Sequence, residues 1–213
     1  MIKEYLLDFL FPKKCVSCSA SGSWLCNVCI KQIEFLDHFL IRQDFRNLSG
    51  VIAFFKFKGP LREALHAYKY ESVKELANTL AYLLVKQIKE NNLEFLQRRK
   101  IISVPMHRFK LAERGFNHSA LLAGKVAQKL NLVFEGEALV KTKATTPQIE
   151  LSGKERKQNI KNAFAVRDIG AVRGKRILLF DDVITTGSTL EECAKVLKKA
   201  GARDVWALVL AKD

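Results

Sequence analysis

The chain alternates short apolar runs with longer stretches in which apolar residues recur at every third or fourth position. Four of these runs predict strands: Val51–Phe57, Ile101–Val104, Ile177–Phe180 and Val205–Leu210. The stretches between them predict amphipathic helices. Short apolar strands separated by helices are typical of a parallel sheet covered on both faces, so the pattern predicts an α/β fold.

Helix ends and helix faces also follow from the pattern. Asn117 is placed to cap the helix that carries Leu122, and Gly201 is the type of residue that ends the helix before it. Cys193 falls on the apolar face of that last helix, which predicts a buried core residue and not a nucleophile. Residues 141–161 lack apolar periodicity and are predicted to form a mobile loop.

Composition then bounds size and partners. The chain has 213 residues and is 48% hydrophobic, which suits one domain plus a small appendage. Because 36 Lys and Arg stand against 22 Asp and Glu, the net charge is +14. This charge favours nucleic acid or phosphorylated small molecules as partners, with a merely basic surface as the alternative. Residues 141–176 hold ten Lys and Arg against three Asp and Glu, a balance of +7 that is expected beside the functional site.

The sequence predicts neither a membrane span nor secretion. No run approaches the roughly 18 apolar residues of a membrane span. The first eleven residues include Lys3, Glu4 and Asp8 and lack a small-residue cleavage site, so a secretory signal is not predicted. The protein is expected in the cytoplasm, where its five cysteines are poor candidates for disulfides.

Four cysteines form two closely spaced pairs. Cys15-x2-Cys18 and Cys26-x2-Cys29 have the spacing with which four thiolates hold one tetrahedral ion. Zinc is favoured over an iron–sulfur cluster, and four reduced, unliganded thiols are the remaining alternative. Because about 40 residues rarely fold on an apolar core alone, a structural zinc would stabilise this module. The sequence therefore predicts a zinc ribbon at residues 1–45 and a second domain at residues 46–213.

The segment after the predicted strand Ile177–Phe180 has the composition of a ribose-phosphate site. Two acids precede small and hydroxyl-bearing residues: Asp181, Asp182, Thr185, Thr186, Gly187, Ser188 and Thr189. Such a turn can direct backbone N–H groups and hydroxyls at a phosphate, while the carboxylates accept hydrogen bonds from sugar hydroxyls or lie near magnesium. A capped helix with solvated acids is the alternative. The glycine motifs of dinucleotide folds and P-loop proteins are missing from the sequence.

Residues Phe180–Thr189 resemble the motif with which type I phosphoribosyltransferases bind phosphoribosyl pyrophosphate (PRPP). A second block, from Val104 to Asn117, resembles the ComF competence family, as do the four-cysteine segment and the stretch Leu65–Tyr70. His118 is a departure, since Gln is expected after Gly-Phe-Asn. The resemblance covers nearly the whole chain. It implies a parallel-sheet type I phosphoribosyltransferase fold, which is Rossmann-like, with a small N-terminal zinc ribbon.

The resemblance also implies roles for individual residues. Asp181 and Asp182 would be the catalytic pair that holds the ribose hydroxyls, and Thr185–Thr189 would hold the 5′-phosphate. The pyrophosphate loop would comprise Val104, Pro105, Met106, His107 and Arg108. Magnesium would be held mainly by pyrophosphate and ribose oxygens, and residues 141–161 would close over PRPP to exclude water.

These expectations lead to a PRPP- and magnesium-binding protein that acts in natural transformation and handles single-stranded DNA in the cytoplasm. DNA contacts are expected from five basic residues: Lys110, Arg114, Lys154, Arg156 and Lys157. Proteins of the DNA-uptake machinery are candidate partners, and phosphoribosyl transfer is left open. One alternative is a nucleobase salvage phosphoribosyltransferase that releases pyrophosphate. Another is a PRPP-sensing regulator that binds duplex DNA, for which no helix-turn-helix signature is evident.

Overall fold

The computed structural model describes residues 12–41, 45–143 and 159–213. The strands are β1 (Leu40–Ile41), β2 (Gly50–Lys56), β3 (Lys100–Ser103), β4 (Leu139–Lys141), β5 (Phe164–Val166), β6 (Arg176–Ile184) and β7 (Asp204–Lys212). The α-helices are α1 (Asn27–Lys31), α2 (Gly59–Tyr70), α3 (Leu76–Glu90), α4 (Arg108–Arg114), α5 (His118–Leu130) and α6 (Ser188–Lys199). A 3₁₀ turn (Glu94–Arg98) precedes β3.

The main sheet has the strand order β1-β2-β7-β6-β3. Its four longer strands are parallel, which confirms the predicted α/β architecture. The sheet differs from the prediction at one edge, where the two-residue strand β1 pairs antiparallel with β2. Eight residues join these strands, too few for the crossover that a parallel neighbour requires. Strands β4 and β5 form a separate antiparallel pair.

Side chains of β6 alternate between two buried layers. Ile177 and Leu179 pack on the face covered by α6, whereas Leu178 and Phe180 pack on the face covered by α2, α3 and α5. All four are completely buried. Because both faces are covered, the central strands have no polar face, which is why they read as continuous apolar runs in the sequence.

The structure confirms the predicted helix ends and the inert cysteine. The Asn117 side chain accepts a hydrogen bond from the Ala120 N–H at 3.2 Å, which caps α5. Gly201 follows the end of α6 with φ of +91°. Cys193 is completely buried in α6, and burial raises the pKa of its thiol well above the ordinary value.

The N-terminal segment packs directly on the main sheet. Leu25 and Ile33 belong to the same buried cluster as Phe55 of β2, and the Leu36 N–H donates to the Phe54 carbonyl at 2.8 Å. The predicted boundary after residue 45 stays a prediction. Across the three described ranges, no helix combines the length and apolar character that a bilayer span demands.

The ends of the predicted closing loop are held together. The Thr142 N–H donates to the Ala163 carbonyl at 2.8 Å, next to the β4–β5 pair. Most of the loop itself, residues 144–158, lies outside the described residues.

Candidate functional site

The two acids lie inside strand β6 and not beyond it. The sequence predicts that the strand ends at Phe180, but it continues to Ile184, which is aligned with Lys212 of β7. The prediction is wrong because β7 continues alongside and supplies backbone partners, and tertiary pairing outweighs the weak strand propensity of Asp. Consecutive residues in a strand project to opposite faces, so Asp181 and Asp182 have different surroundings.

Asp182 is enclosed by basic side chains. It is 5% exposed, its Oδ1 lies 2.8 Å from Lys69 Nζ, and its Oδ2 lies 3.0 Å from His118 Nε2. Burial favours the protonated carboxyl, but Lys69 and His118 outweigh it and hold the pKa of Asp182 below its ordinary value. Likewise, burial would lower the pKa of Lys69, yet Asp182 raises it overall. Asp182 therefore joins β6 to α2 through its ion pair with Lys69 and to α5 through its contact with His118.

Asp181 lines the pocket at the end of β6. Its Oδ1 accepts hydrogen bonds from the Ser119 hydroxyl at 2.9 Å and from the Asp182 N–H at 3.0 Å. Burial and the neighbouring Asp182 charge raise the pKa of Asp181 to about 6. Because it faces the pocket, Asp181 is the acid of the pair that is placed to accept a hydrogen bond from a ligand hydroxyl.

The five residues after β6, Thr185–Thr189, also line this pocket and include the first two residues of α6. Gly187 has φ of +72°, and a Cβ at this position would lie 2.8 Å from the Phe45 ring, so both conformation and space demand glycine. The hydroxyls of Thr186 and Ser188 lie 2.9 Å apart. The first N–H groups of a helix lack acceptors within it, which makes this turn suited to an anion.

The predicted pyrophosphate loop starts next to the acids. The Val104 N–H donates to the Phe180 carbonyl at 2.8 Å, so the loop after β3 and the pocket after β6 share one edge of the sheet. His107 ends this loop as the N-cap of α4, its Nδ1 accepting from the Phe109 N–H at 3.4 Å. Arg108 begins α4 and is exposed to solvent.

The predicted DNA-contacting residues divide into two groups. Arg114 stacks its guanidinium 4.7 Å from the centre of the Tyr70 ring, and Lys110 lies close enough to Lys141 that its charge, added to burial, lowers the pKa of Lys141. Both belong to helix α4, beside the pocket edge. Lys154, Arg156 and Lys157 lie outside the described residues.

The prediction that the basic residues of 141–176 lie beside the site is wrong for Lys175 and Arg176. Lys175 immediately precedes β6 and Arg176 is its first residue, at the edge opposite the pocket. A strand rises ~3.3 Å per residue, so the nine-residue β6 separates these cations from Ile184 by about 26 Å. Residues that are close in the sequence are separated here because β6 runs from one edge of the sheet to the other.

The four cysteines converge as the spacing predicts. Their sulfur atoms all lie within 4.8 Å of one another, with Cys18 and Cys26 Sγ 3.6 Å apart. Zinc–sulfur bonds of ~2.3 Å in a tetrahedron place sulfurs about 3.8 Å apart, so the arrangement fits a metal ion of this kind. The Cys26 N–H donates to Cys15 Sγ at 3.4 Å, which orients that sulfur atom.

Sequence reasoning missed the residues that hold the acids. Lys69 and His118 contact Asp182, Ser119 contacts Asp181, and Phe45 covers Gly187. Two of them had a signal in the sequence: Lys69 lies in the stretch Leu65–Tyr70, and His118 stands where Gln was expected. No local pattern could show that they contact Asp182, since Lys69 and Asp182 are 113 positions apart.

Comparison with known proteins places this arrangement in a family. Residues 117–213 match the family model described as a phosphoribosyl transferase domain. The DNA utilization protein YhgH of Shigella flexneri is 37% identical over 155 residues, which cover 70% of this chain and 66% of that protein. Competence protein F of Haemophilus influenzae is 35% identical over 158 residues, covering 71% and 69%.

Among solved structures, a hypoxanthine phosphoribosyltransferase from Staphylococcus aureus aligns with a TM-score of 0.41 and 13% identity, covering 66% of this chain and 65% of that one. The assignment rests on the sequence relatives and the family model. The chain spans just under two thirds of the length of the Shigella relative. The identity to the Haemophilus protein over more than two thirds of its length, together with the domain match, shows that the chain belongs to the ComF family of competence proteins and carries a type I phosphoribosyltransferase fold with an N-terminal four-cysteine cluster.

Proposed function

We propose that this protein binds PRPP together with magnesium at the pocket after β6 and acts in natural transformation, where it handles single-stranded DNA in the cytoplasm. The observation that carries the proposal is the pocket itself, in which Asp181 and the turn Thr185–Thr189 lie together at the carboxyl end of a parallel strand. Ligands of open α/β sheets bind at this edge. The names of the relatives, which refer to competence and DNA utilization, support the biological setting.

The proposed roles follow the positions of the groups. Backbone N–H groups at the start of α6 and the hydroxyls of Thr186 and Ser188 would bind the 5′-phosphate. Asp181 would accept a hydrogen bond from a ribose hydroxyl, and the loop from Val104 to Arg108 would face the pyrophosphate. Magnesium, an oxygen-seeking cation, would neutralise the pyrophosphate charge when bound. Asp182 would orient the site through Lys69 and His118 instead of touching the sugar.

The test is calorimetric titration of PRPP, with and without magnesium, into the wild type and into the Ser188→Asp variant. The added carboxylate would occupy and repel the phosphate position, so PRPP affinity should fall at least about 100-fold. Ser21→Asp, the same change at an exposed serine of the N-terminal segment, serves as the control. Equal PRPP affinity in Ser188→Asp and the wild type would contradict the pocket assignment.

A nucleobase phosphoribosyltransferase is the second candidate, favoured by the family-model match. It predicts magnesium-dependent release of pyrophosphate from PRPP with one particular base. Measuring pyrophosphate across a panel of nucleobases separates the candidates. Intact PRPP binding without release for any base would count against the salvage enzyme and leave the first proposal standing.

A further inference from the structure

A basic cavity lies at the edge of the sheet opposite the pocket, where the strands begin. It has a volume of about 560 Å³ and is bounded by the 3₁₀ turn before β3 and by the first residues of β6 and β7. Three arginines, one aromatic ring and two carboxylates line it: Arg98, Arg99, Arg176, Phe95, Glu94 and Asp204. Its size is in the range of small-ligand sites.

Arg99 is buried at the bottom of this cavity. Its side chain is 6% exposed, and its guanidinium lies 2.5 Å from Asp204 Oδ2, which neutralises that carboxylate. The Arg99 Nε–H is buried without a hydrogen-bond acceptor in the described part of the chain. Its Nη1 donates to the Ile177 carbonyl at 3.4 Å, so Arg99 is held by protein groups and leaves ligand contact to the other two arginines.

Two aromatic rings pack against the Arg99 guanidinium. The rings of Phe95 and Trp206 lie 4.9 Å apart edge to face, and the guanidinium carbon of Arg99 lies 5.5 Å and 5.8 Å from their centres. Gly50 makes room for this packing, since a Cβ there would lie 2.7 Å from the Trp206 ring. Phe95 remains 41% exposed, so part of its ring is available to a ligand.

The other two arginines have no ion-pair partner among the described residues. Arg98 is exposed and Arg176 is half-buried, and both line the cavity. Lys175 and Arg203 continue the positive surface, because the Arg203 N–H donates to the Lys175 carbonyl and joins the two segments at 2.9 Å. Cations exceed carboxylates here once Asp204 is paired with Arg99.

This combination has a specific chemistry. Guanidinium groups bind phosphate oxygens in a fork, and an exposed aromatic face stacks a base of any kind. Phosphates and unpaired bases occur together in single-stranded nucleic acid. We propose that this arginine cavity binds a segment of single-stranded nucleic acid, with a base on Phe95 and the adjoining phosphates on Arg98 and Arg176. The inference rests on the proposed function and gives the strand a site about 26 Å from the PRPP pocket.

The test is fluorescence anisotropy of a labelled oligothymidine, with PRPP calorimetry on the same samples. Each phosphate contact on a single strand contributes a salt slope of ~0.7, so Arg98→Ala/Arg176→Ala should lower the log–log slope by about 1.4 and the affinity about 25-fold at roughly 0.1 M salt. PRPP affinity should be unchanged, which also shows that the variant is folded. Arg62→Ala/Lys31→Ala removes the same charge from exposed positions elsewhere and should leave the salt slope within experimental error.

A second pair of variants tests the stacked base. Phe95→Ala should weaken strand binding about 5-fold or more, whereas Phe95→Tyr keeps an aromatic face and should bind as the wild type. The inference would be overturned if inorganic phosphate bound at the cavity but the oligothymidine did not.

The failures can be told apart. If the wild type binds the strand but the two-arginine variant binds equally well, the cavity is excluded and the proposed function stands. That result would be explained if Lys110→Ala/Arg114→Ala abolished binding, since the strand would then lie at α4. If the wild type binds no single-stranded DNA, the DNA part of the proposed function fails as well.

Discussion

Asp181 and Asp182 are neighbours in the chain with opposite electrostatics. Lys69 and His118 stabilise the ionised form of Asp182, whereas Asp181 is buried beside that negative charge and lacks a cation in direct contact among the described residues. The pKa of Asp181 is therefore raised to about 6 while the pKa of Asp182 is lowered. The ionised Asp182 is stabilised by its partners in the fold. The ionised Asp181 is destabilised by its surroundings, and a bound ligand could reduce this cost.

The Asp181→Asn variant should be more stable than the wild type without ligand. The pKa of Asp181 rises from 3.8 to about 6 on folding, so ionisation opposes folding fully above about pH 6 and not at all below 3.8. At about pH 7.5 the gain in unfolding free energy should be on the order of 3 kcal/mol. It should shrink as the pH falls toward 4, as urea denaturation at both pH values can measure. A gain independent of pH, or a loss at pH 7.5, would contradict the argument.

The Lys69→Met variant should be strongly destabilised. It leaves the buried Asp182 carboxylate without its ammonium partner, which costs about 3 to 5 kcal/mol of unfolding free energy. Lys86→Met is the control, because Lys86 and Glu90 form an exposed pair at 3.7 Å worth less than about 1 kcal/mol. Lys69→Met/Asp182→Asn should recover part of the loss. Equal denaturation midpoints for the two single variants would show that the buried pair contributes nothing.

Strand β6 and helix α6 act together at the level of elements. The strand extends past the apolar run because β7 continues beside it, and the turn at Gly187 then reverses into the helix. Helix α6 is anchored by its buried face, which includes Leu190 and Cys193. The turn is thus held between two buried elements, so its N–H groups are oriented before a ligand binds.

Gly187→Ala should abolish PRPP binding, whereas Gly174→Ala should not. Both glycines have nearly the same positive φ, +72° and +70°, so both variants carry a similar conformational cost of about 1 kcal/mol. A Cβ at Gly187 also meets the Phe45 ring, while a Cβ at Gly174 meets nothing within 4 Å. Calorimetry with PRPP and thermal denaturation separate the two effects. Retained PRPP affinity in Gly187→Ala would exclude a strict geometric role for this turn.

At the scale of the whole molecule, the cysteine cluster and the sheet share one core. Leu25 and Ile33, which flank Cys26 and Cys29, pack in the same buried cluster as Phe55 and Leu61. The four thiols fit a zinc ion, and structural zinc contributes roughly 10 kcal/mol or more in small modules. Loss of the metal should therefore be felt beyond the N-terminal segment.

Removing the metal should lower the Tm of the entire chain in one transition. Elemental analysis should find one zinc per chain in the wild type and in Cys193→Ala, whose cysteine lies in the core of α6, and almost none in Cys18→Ser. Scanning calorimetry of Cys18→Ser should show one shifted peak, because the buried cluster is continuous. Two separate peaks, with the second unchanged, would show that the module and the domain unfold independently.

The sequence by itself determined the features that depend on near neighbours. Alternation of apolar runs and helices predicted the sheet and its covering, Asn117 and Gly201 marked helix ends, and Cys15 and Cys18 with their partner pair converge as their spacing indicates. The residues of the motif Phe180–Thr189 also lie close together, and most of them line one pocket. These signals are local because periodicity, capping and ligand spacing each involve residues only a few positions apart.

Only the tertiary structure decided what surrounds each acid and where the charge lies. Lys69 reaches Asp182 across 113 positions, and β6 carries Arg176 to the edge opposite the pocket. Both outcomes depend on the order of strands and the packing of helices α2 and α5, which no local pattern encodes. Burial then set the charges of the acids, since desolvation and contact with cations act only once the chain has folded around them.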